Sequence, residues 1–262
     1  MNHRRKLVPT FYEKLVWASG DSAGLQVTDT PIGRIGGLIC GENTNPLARY
    51  SLIAQGEQIH ISSWPALWPT RRPAEGGNDN VAANRLRAGA HSFKAKAFGI
   101  ICAGSMDEEM RDFLVSRDPA SAAVLGGSPR TASMFVDPTG TALGDMLREE
   151  EGIAYAEFDL SQCVEPKQFH DVVGYYNRFD VFSLSVNRNR HEPLSWTGSR
   201  HALTRMATND PMGTPDDWGV DSGQTERRPV VTAPAARFRA CCTDSTDTLR
   251  RVDAGTISLE QA

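Results

Sequence analysis

What this sequence has little of excludes several classes of protein at once. No stretch approaches the ~18–20 consecutive apolar residues of a membrane helix, and no apolar core of signal-peptide length follows the amino-terminal charges. Neither a membrane span nor export is therefore expected. Cysteine is sparse: Cys40, Cys102, Cys163, Cys241 and Cys242 make an odd set of five. They lack the dense, regular spacing of a disulfide framework, which favours a reducing compartment and a cytoplasmic location. An excess of basic charge is also missing, since 28 Lys and Arg face 32 Asp and Glu for a net charge of −4. Duplex binding needs clustered cations to neutralise phosphates, so no nucleic-acid partner is expected. The one short basic run, His3-Arg4-Arg5-Lys6, leads into acidic and neutral sequence.

What remains is the composition of an ordinary soluble globular chain, 40% hydrophobic and 23% charged, long enough at 262 residues to bury one substantial core. From Leu25 to Cys40, two short apolar runs flank Thr30-Pro31-Ile32-Gly33. Pro and Gly there supply turn angles, so the segment reads as a β-hairpin. Its second strand, Ile35 to Ile39, is almost continuously apolar, as in a strand covered on both faces, and delivers Cys40 at its end. After Pro46, the spacing of Leu47, Tyr50, Ile53 and Ala54 gives a helical stripe that Gly56 is placed to stop. Gln58 to Ser62 reads as a strand, Val81 to Ala97 as a helix and Phe98 to Ala103 as a strand, so β and α alternate. Ala132 to Val136 and Ile153 to Leu160 suggest an antiparallel pair closing the sheet, and Glu165 to Tyr176 a helix with Pro166 near its first turn. From His191 to Ala262, ten threonines and five prolines accompany only three aromatics. With no sustained period, 191–262 is expected to be a disordered tail behind a domain spanning 1–190.

Cys40 leads the chemical candidates. A cysteine chosen blindly is more often a packed core thiol. Here, however, polar Cys40-Gly41-Glu42-Asn43-Thr44-Asn45 occupies a strand-to-helix connection, where backbone N–H groups near small Gly41 suit a developing negative charge. Lys6 by itself would be a solvated member of its basic run, and Glu13 a surface glutamate. Trp64, Pro65, Leu67 and Trp68 follow the next strand, where either a pocket rim or ordinary aromatic packing is expected. His60 and His91 look too isolated for a metal site, which needs three or four convergent ligands, so neither metal nor cofactor is expected. His170 beside Asp171 tempts a catalytic reading, but adjacent helical residues point in different directions.

The run Cys40-Gly41-Glu42-Asn43-Thr44-Asn45-Pro46-Leu47-Ala48-Arg49-Tyr50 resembles the nitrilase family of carbon-nitrogen hydrolases, whose attacking thiol sits in a Cys-x-Glu-Asn motif followed by Pro-Leu-Ala-Arg. The resemblance also covers His3 to Thr10, Phe11-Tyr12-Glu13-Lys14, Gln55 to His60, Ala90-His91-Ser92-Phe93 and Glu165 to Asp171. It runs from Lys6 to about Asn187, and separated motifs in one order are more specific than any one of them. It implies an α/β fold, the four-layer αββα sandwich of the superfamily, and a Glu-Lys-Cys triad in which Cys40 is the nucleophile and Lys6 the ammonium. Glu13 matches an additional glutamate near the nucleophile that orients the lysine. Glu42 and Asn43 are assigned to holding the turn by hydrogen bonds, and Gly41, Trp64 and Pro65 to the substrate pocket.

The resemblance further implies hydrolysis of a small nitrile, arylaliphatic by preference, to a carboxylic acid and ammonia, in a homo-oligomer. The chain departs from the family in one respect: the first triad glutamate normally lies upstream of the lysine motif, and no acidic residue precedes Lys6. Because triad residues act as a unit, the expectation is an amino-terminally truncated, partial αββα sandwich lacking its first strands and helices. The alternative to a working enzyme is then an inactive homologue that joins full-length nitrilase as an oligomer subunit, or a non-functional fragment.

Overall fold

The computed structural model describes residues 2–66 and 79–191 in full, and the backbone of three further strands at 236–241, 251–252 and 256–259. The chain divides into two units, Met1–Arg190 with Thr232–Ala262 and His191–Val231, the second lying outside the described residues except for His191.

In the first unit the expected hairpin is present. Strands β1 (Thr28–Thr30) and β2 (Gly33–Ile39) pair antiparallel with Thr30 opposite Gly33. Gly33 adopts a φ of 125°, a conformation that favours glycine. Helix α1 (Pro46–Ile53) starts as the sequence indicates, with Asn45 accepting from the N–H groups of Leu47 and Ala48 and Pro46 at its first turn. Its buried face is Ala48, Ser51, Leu52 and Ile53, while Leu47, expected in the apolar stripe, is 60% exposed. Strand β3 (Ile59–Trp64), helix α2 (Asn80–Ala95) and strand β4 (Phe98–Ala103) follow as expected, and β2, β3 and β4 lie parallel at the centre of the sheet. All of β4 is buried, as its unbroken apolar composition requires. Cys102 is buried within it, as its sequence context indicates.

Beyond the exposed helix α3 (Glu108–Arg117) and the short α4 (Ala122–Gly126), the sequence reading needs correction. Strand β5 (Ser133–Val136) does not pair with the run beginning at Ile153. Its partner is the adjacent strand β6 (Ala142–Leu147), across the turn at Asp137–Gly140, giving the sheet order β1-β2-β3-β4-β5-β6. Asp137 nucleates that turn by accepting from the N–H groups of Thr139 and Thr141. Strand β7 (Ile153–Phe158) instead opens a second sheet. It pairs antiparallel with β8 (Ala236–Cys241), which pairs parallel with β10 (Thr256–Leu259), and β10 pairs antiparallel with β9 (Arg251–Val252). Within the segment expected to be a tail, the described residues thus form three strands, and the rest of 191–262 lies outside the described residues. The helix expected over Glu165 to Tyr176 shrinks to one turn, α5 (Lys167–His170). Asp171 turns to extended backbone and accepts from the N–H of Val173, which ends the helix.

The two-residue period of the strands divides the first sheet into two covered faces. Ile59, Phe98, Ile100, Cys102 and Phe135 pack against Ala154, Ala156 and Phe158 of β7. Trp64, Ile101, Ala103, Met134 and Val136 face Val81 and Ala88 of α2, while Leu38 packs under Leu52 of α1. A helix layer, a mixed sheet and a second sheet therefore succeed one another, in an α/β architecture.

Phe158 anchors the layer between the sheets, fully buried with its ring stacked 4.3 Å from Phe98 and edge-on to Phe135 at 6.0 Å. Phe158→Ala is expected to lower unfolding free energy by about 3–5 kcal/mol in urea titration. Leu47→Ala, at an exposed position, should change it by no more than about 0.5 kcal/mol.

Candidate functional site

Strand β2 ends at Ile39, and the chain enters a single 3₁₀ turn over Cys40–Thr44 before α1. Cys40, half-buried, takes up a left-handed φ of 50°. A side chain with a Cβ adopts that conformation at a cost of about 1–2 kcal/mol, so the surroundings must hold it. Three groups do so. Glu42 reaches back to accept from the N–H of Ile39 at 2.8 Å. Asn43 donates to the carbonyls of Leu38 at 3.0 Å and Cys40 at 3.1 Å. The Thr44 hydroxyl donates to the carbonyl of Gly41 at 2.6 Å. Glu42 and Asn43 therefore fasten the turn, as the sequence suggests.

Glu42 also joins this turn to the amino-terminal segment. Both of its oxygens receive the Arg4 guanidinium, at 2.9 and 2.6 Å, and one also accepts from the N–H of Leu7. Burial pushes the Glu42 carboxyl up, but Arg4 and the two amides outweigh burial and hold it below the usual range. The bidentate pair is almost fully buried, 9% and 4% exposed at its side chains, so each charge depends on the other. Lys6, between Arg4 and Leu7, is thereby carried to the nucleophile's turn. Arg4 gave no sign of this in the sequence, where it is one of several cations in a row.

The Lys6 ammonium is itself fixed, donating at 2.7 Å to both the Thr10 hydroxyl and Glu13 Oε2. Among the described residues this leaves one of its three N–H groups for another acceptor. Glu13 also accepts from the N–H of Thr10, closing the first turn of a 3₁₀ segment, Phe11–Leu15. Burial raises the Glu13 carboxyl slightly, whereas the hydrogen bond from Lys6, the Thr10 amide and the lysine charge bring it below its ordinary value. Glu13 is therefore an anion suited to orienting Lys6 and a weak base.

Gly41 is open, since a Cβ built there meets nothing within 4 Å. It lines a cleft of about 570 Å³ with Leu7, Val8, Pro9, Phe11 and Asn45. Trp64 is buried in the core cluster under α2, where Cys40 packs against the same group, and Arg87 stands 5.3 Å over its ring. Burial lowers the Arg87 guanidinium, and the nearby Cys40 acts in the opposite direction. Pro65 is exposed at the end of β3, and Leu67 and Trp68 lie outside the described residues. His170 is exposed, its ring 6.2 Å from Tyr176 and remote in sequence from the turn.

His60 and His91 are not isolated, contrary to the sequence reading. β3 and α2 bring them to ring centroids 3.9 Å apart, with Glu57 between them. Glu57 Oε2 lies 3.0 Å from His60 Nδ1, Glu57 Oε1 meets His91 Nε2, and His60 Nε2 lies 3.0 Å from Asn43 Oδ1. Among the described residues, these three are the group of His, Cys, Asp and Glu side chains close enough to share a metal, with ligand atoms within 4.8 Å. Their chemistry is already consumed in pairing with one another and with Asn43. A signal existed: His60 and Ser62 occupy the helix-facing positions of β3, and His91 and Ser92 the sheet-facing positions of α2. Polar residues on two facing core surfaces require each other. Gly36 makes room for the network, because a Cβ there would collide with the Glu57 carboxylate.

Comparison with known proteins places this geometry in context. The Carbon-nitrogen hydrolase family profile matches residues 1–168. A nitrilase of Penicillium rubens is 37% identical over 201 residues, covering 74% of this chain and 60% of the relative. A nitrilase of Paraburkholderia phymatum is 36% identical over 191 residues, covering 73% and 53%. An arylacetone-specific nitrilase of Alcaligenes faecalis is 31% identical over 208 residues, covering 78% and 56%. The chain spans between 53% and 60% of the length of these curated relatives. A carbon-nitrogen hydrolase from Helicobacter pylori shares the fold, with a TM-score of 0.53 at 23% identity over 68% of this chain and 58% of that one.

The buried network sets an acid limit on stability. Burial and the neighbouring His60 hold His91 near 4, below its ordinary 6.5. A depressed histidine favours the fold only when neutral. Its contribution is complete above about pH 6.5 and lost as pH falls to about 4. Burial opposes ionisation of Glu57, but His60 and His91 bring it to about 2 from 4.5, so its contribution is lost between those values. Urea midpoints should fall from about pH 6.5 downward, and His91→Asn should remove the decline between about pH 6.5 and 4 while leaving the lower one.

Proposed function

This chain belongs to the carbon-nitrogen hydrolase family, and on that footing we propose that it is a nitrilase using Cys40 to convert a small arylaliphatic nitrile and two waters to a carboxylic acid and ammonia. The observation that carries this reading is the left-handed turn presenting Cys40, tied through Glu42 to the segment bearing a fixed Lys6. The Cys40 sulfur adds to the nitrile carbon, and its proton passes to the nitrile nitrogen to give a thioimidate. Water adds to that carbon, and the nitrogen, protonated again, leaves as ammonia, so a thioester remains. A second water displaces the thiol and frees the acid. Negative charge on the nitrogen, then on oxygen, forms where the remaining N–H of Lys6 stabilises it, and Glu13 keeps that ammonium aimed. Gly41 gives the substrate room, and Trp64 with Pro65 forms the apolar wall on the β3 side. No bound cofactor takes part. The enzyme works as a homo-oligomer in the cytoplasm.

One observation favours a second reading. Among the described residues no carboxylate is hydrogen-bonded to the Cys40 sulfur, Glu13 and Glu42 being committed to Lys6 and Arg4. The proton-transferring acid then comes from outside these residues, and the chain serves as one subunit of a larger nitrilase assembly.

Ammonia release from phenylacetonitrile separates the two. Activity of the chain alone that falls by on the order of 10³-fold or more in Cys40→Ala, and on the order of 10²-fold in Lys6→Ala, supports the enzyme reading. Activity seen only when an upstream nitrilase segment is supplied supports the subunit reading. Turnover that survives Cys40→Ala contradicts both.

A further inference from the structure

The hydrogen bonds of the buried network assign its donors at Asn43, at His60 Nε2 and at His91. Asn43 Nδ2 faces two carbonyls, those of Leu38 and Cys40. Carbonyls only accept, so the amide has one orientation, with Oδ1 directed at His60 Nε2. Oδ1 also only accepts, so His60 Nε2 carries a proton. At the other end, Glu57 Oε1 meets His91 Nε2, while His91 Nδ1 is buried without a partner. A bare lone pair is better tolerated there than an unanswered N–H, so His91 is neutral with its proton on Nε2. One proton lies between His60 Nδ1 and Glu57 Oε2, and on either atom it leaves His60 Nε2–H as the donor to Asn43. Arg49 of α1 also faces Glu57 and His91, and Arg87 of α2 faces Arg49, so the carboxylate is the anion among these buried cations.

We propose that His60 is a positioning residue for Cys40: a buried ring, fixed by Glu57, whose Nε2–H locks the Asn43 amide and through it the left-handed backbone of the nucleophile. This deepens the nitrilase reading and rests on it only in calling Cys40 the nucleophile. The chain of contacts is continuous. His91 on α2 steadies Glu57, Glu57 holds the His60 ring, His60 fixes the Asn43 oxygen, and the Asn43 nitrogen holds the carbonyl of Cys40. A His60 ring without a proton on Nε2 would have no donor for Asn43, and the amide would then turn over and release the turn.

The test does not use turnover. In the ¹⁵N-labelled chain, two-bond correlations of the histidine rings should show His60 Nε2 protonated at pH 8, and His91 as the Nε2–H tautomer alone. The Cys40 Cα and Cβ shifts should carry the left-handed signature. In His60→Leu that signature should move to β values, and peptide-resolved alkylation of Cys40 by iodoacetamide should change by on the order of tenfold. His60→Gln, whose amide nitrogen still donates to Asn43, should restore most of both. A His60 without a proton on Nε2 in the unaltered chain overturns the proposal, even where His60→Leu fails to fold. So does an unchanged Cys40 signature in folded His60→Leu. A chain with no Cys40-dependent turnover would contradict the nitrilase reading yet leave these ring and backbone signals to be read, so the two failures are distinct.

Discussion

The pairing of Glu42 with Arg4 is the contact on which the candidate site depends. Two segments far apart in the chain meet there, and one carboxylate satisfies a guanidinium and two backbone amides in a nearly dry setting. A buried ion pair of this kind contributes little net stability, because desolvation offsets most of its attraction. What it supplies is location. The segment carrying Lys6 is otherwise held against the end of β2 mainly by Leu7, which packs on the Leu38 and Leu52 cluster, for Val8, Phe11 and Tyr12 are exposed. With Glu42 in place, the distance between a thiol and an ammonium is set by a short, rigid route.

The rest of the fold supports that route from below. Three parallel strands in register deliver Cys40 at the carboxyl end of β2, and α1 and α2 cover the same face of the sheet. The second sheet seals the opposite face through Phe158. Between the helices and the sheet lies the polar layer of Glu57, His60 and His91, complete in its pairing at three of four ring nitrogens. Its position directly behind Asn43 joins the stability of the core to the shape of the nucleophile's turn.

Local chemistry made much of this legible. The Pro31-Ile32-Gly33 turn, the apolar run into Cys40, the Asn45-Pro46 helix start and the all-apolar β4 each contain their own signal, and each is found where the residues indicate. What failed depended on long-range partners. The choice of β6 over β7 as the mate of β5 is made by chain proximity across the Asp137 turn, and β7 pairs with a strand some eighty residues on. The helix at Glu165 stopped after one turn because Asp171 bonds its own backbone, a competition that apolar spacing does not report. His60 and His91 looked separate because the sequence shows the period of each element but not that their polar faces meet. Arg4 was hidden by its basic neighbours. The catalytic assignment of Lys6 and Glu13 rests on motif resemblance, and the contact between them is what the folded chain adds.

Every step proposed for the site runs through a covalent bond to the Cys40 sulfur. Acid-quench mass spectrometry of the chain mixed with phenylacetonitrile reads that bond, with an upstream nitrilase segment supplied where turnover requires it. A phenylacetyl thioester or its thioimidate precursor should appear on the peptide containing Cys40, formed within one turnover and absent in Lys6→Ala. An adduct on Cys102, Cys163, Cys241 or Cys242 instead, or ammonia release with no adduct at any cysteine, would contradict the assignment of Cys40 as nucleophile.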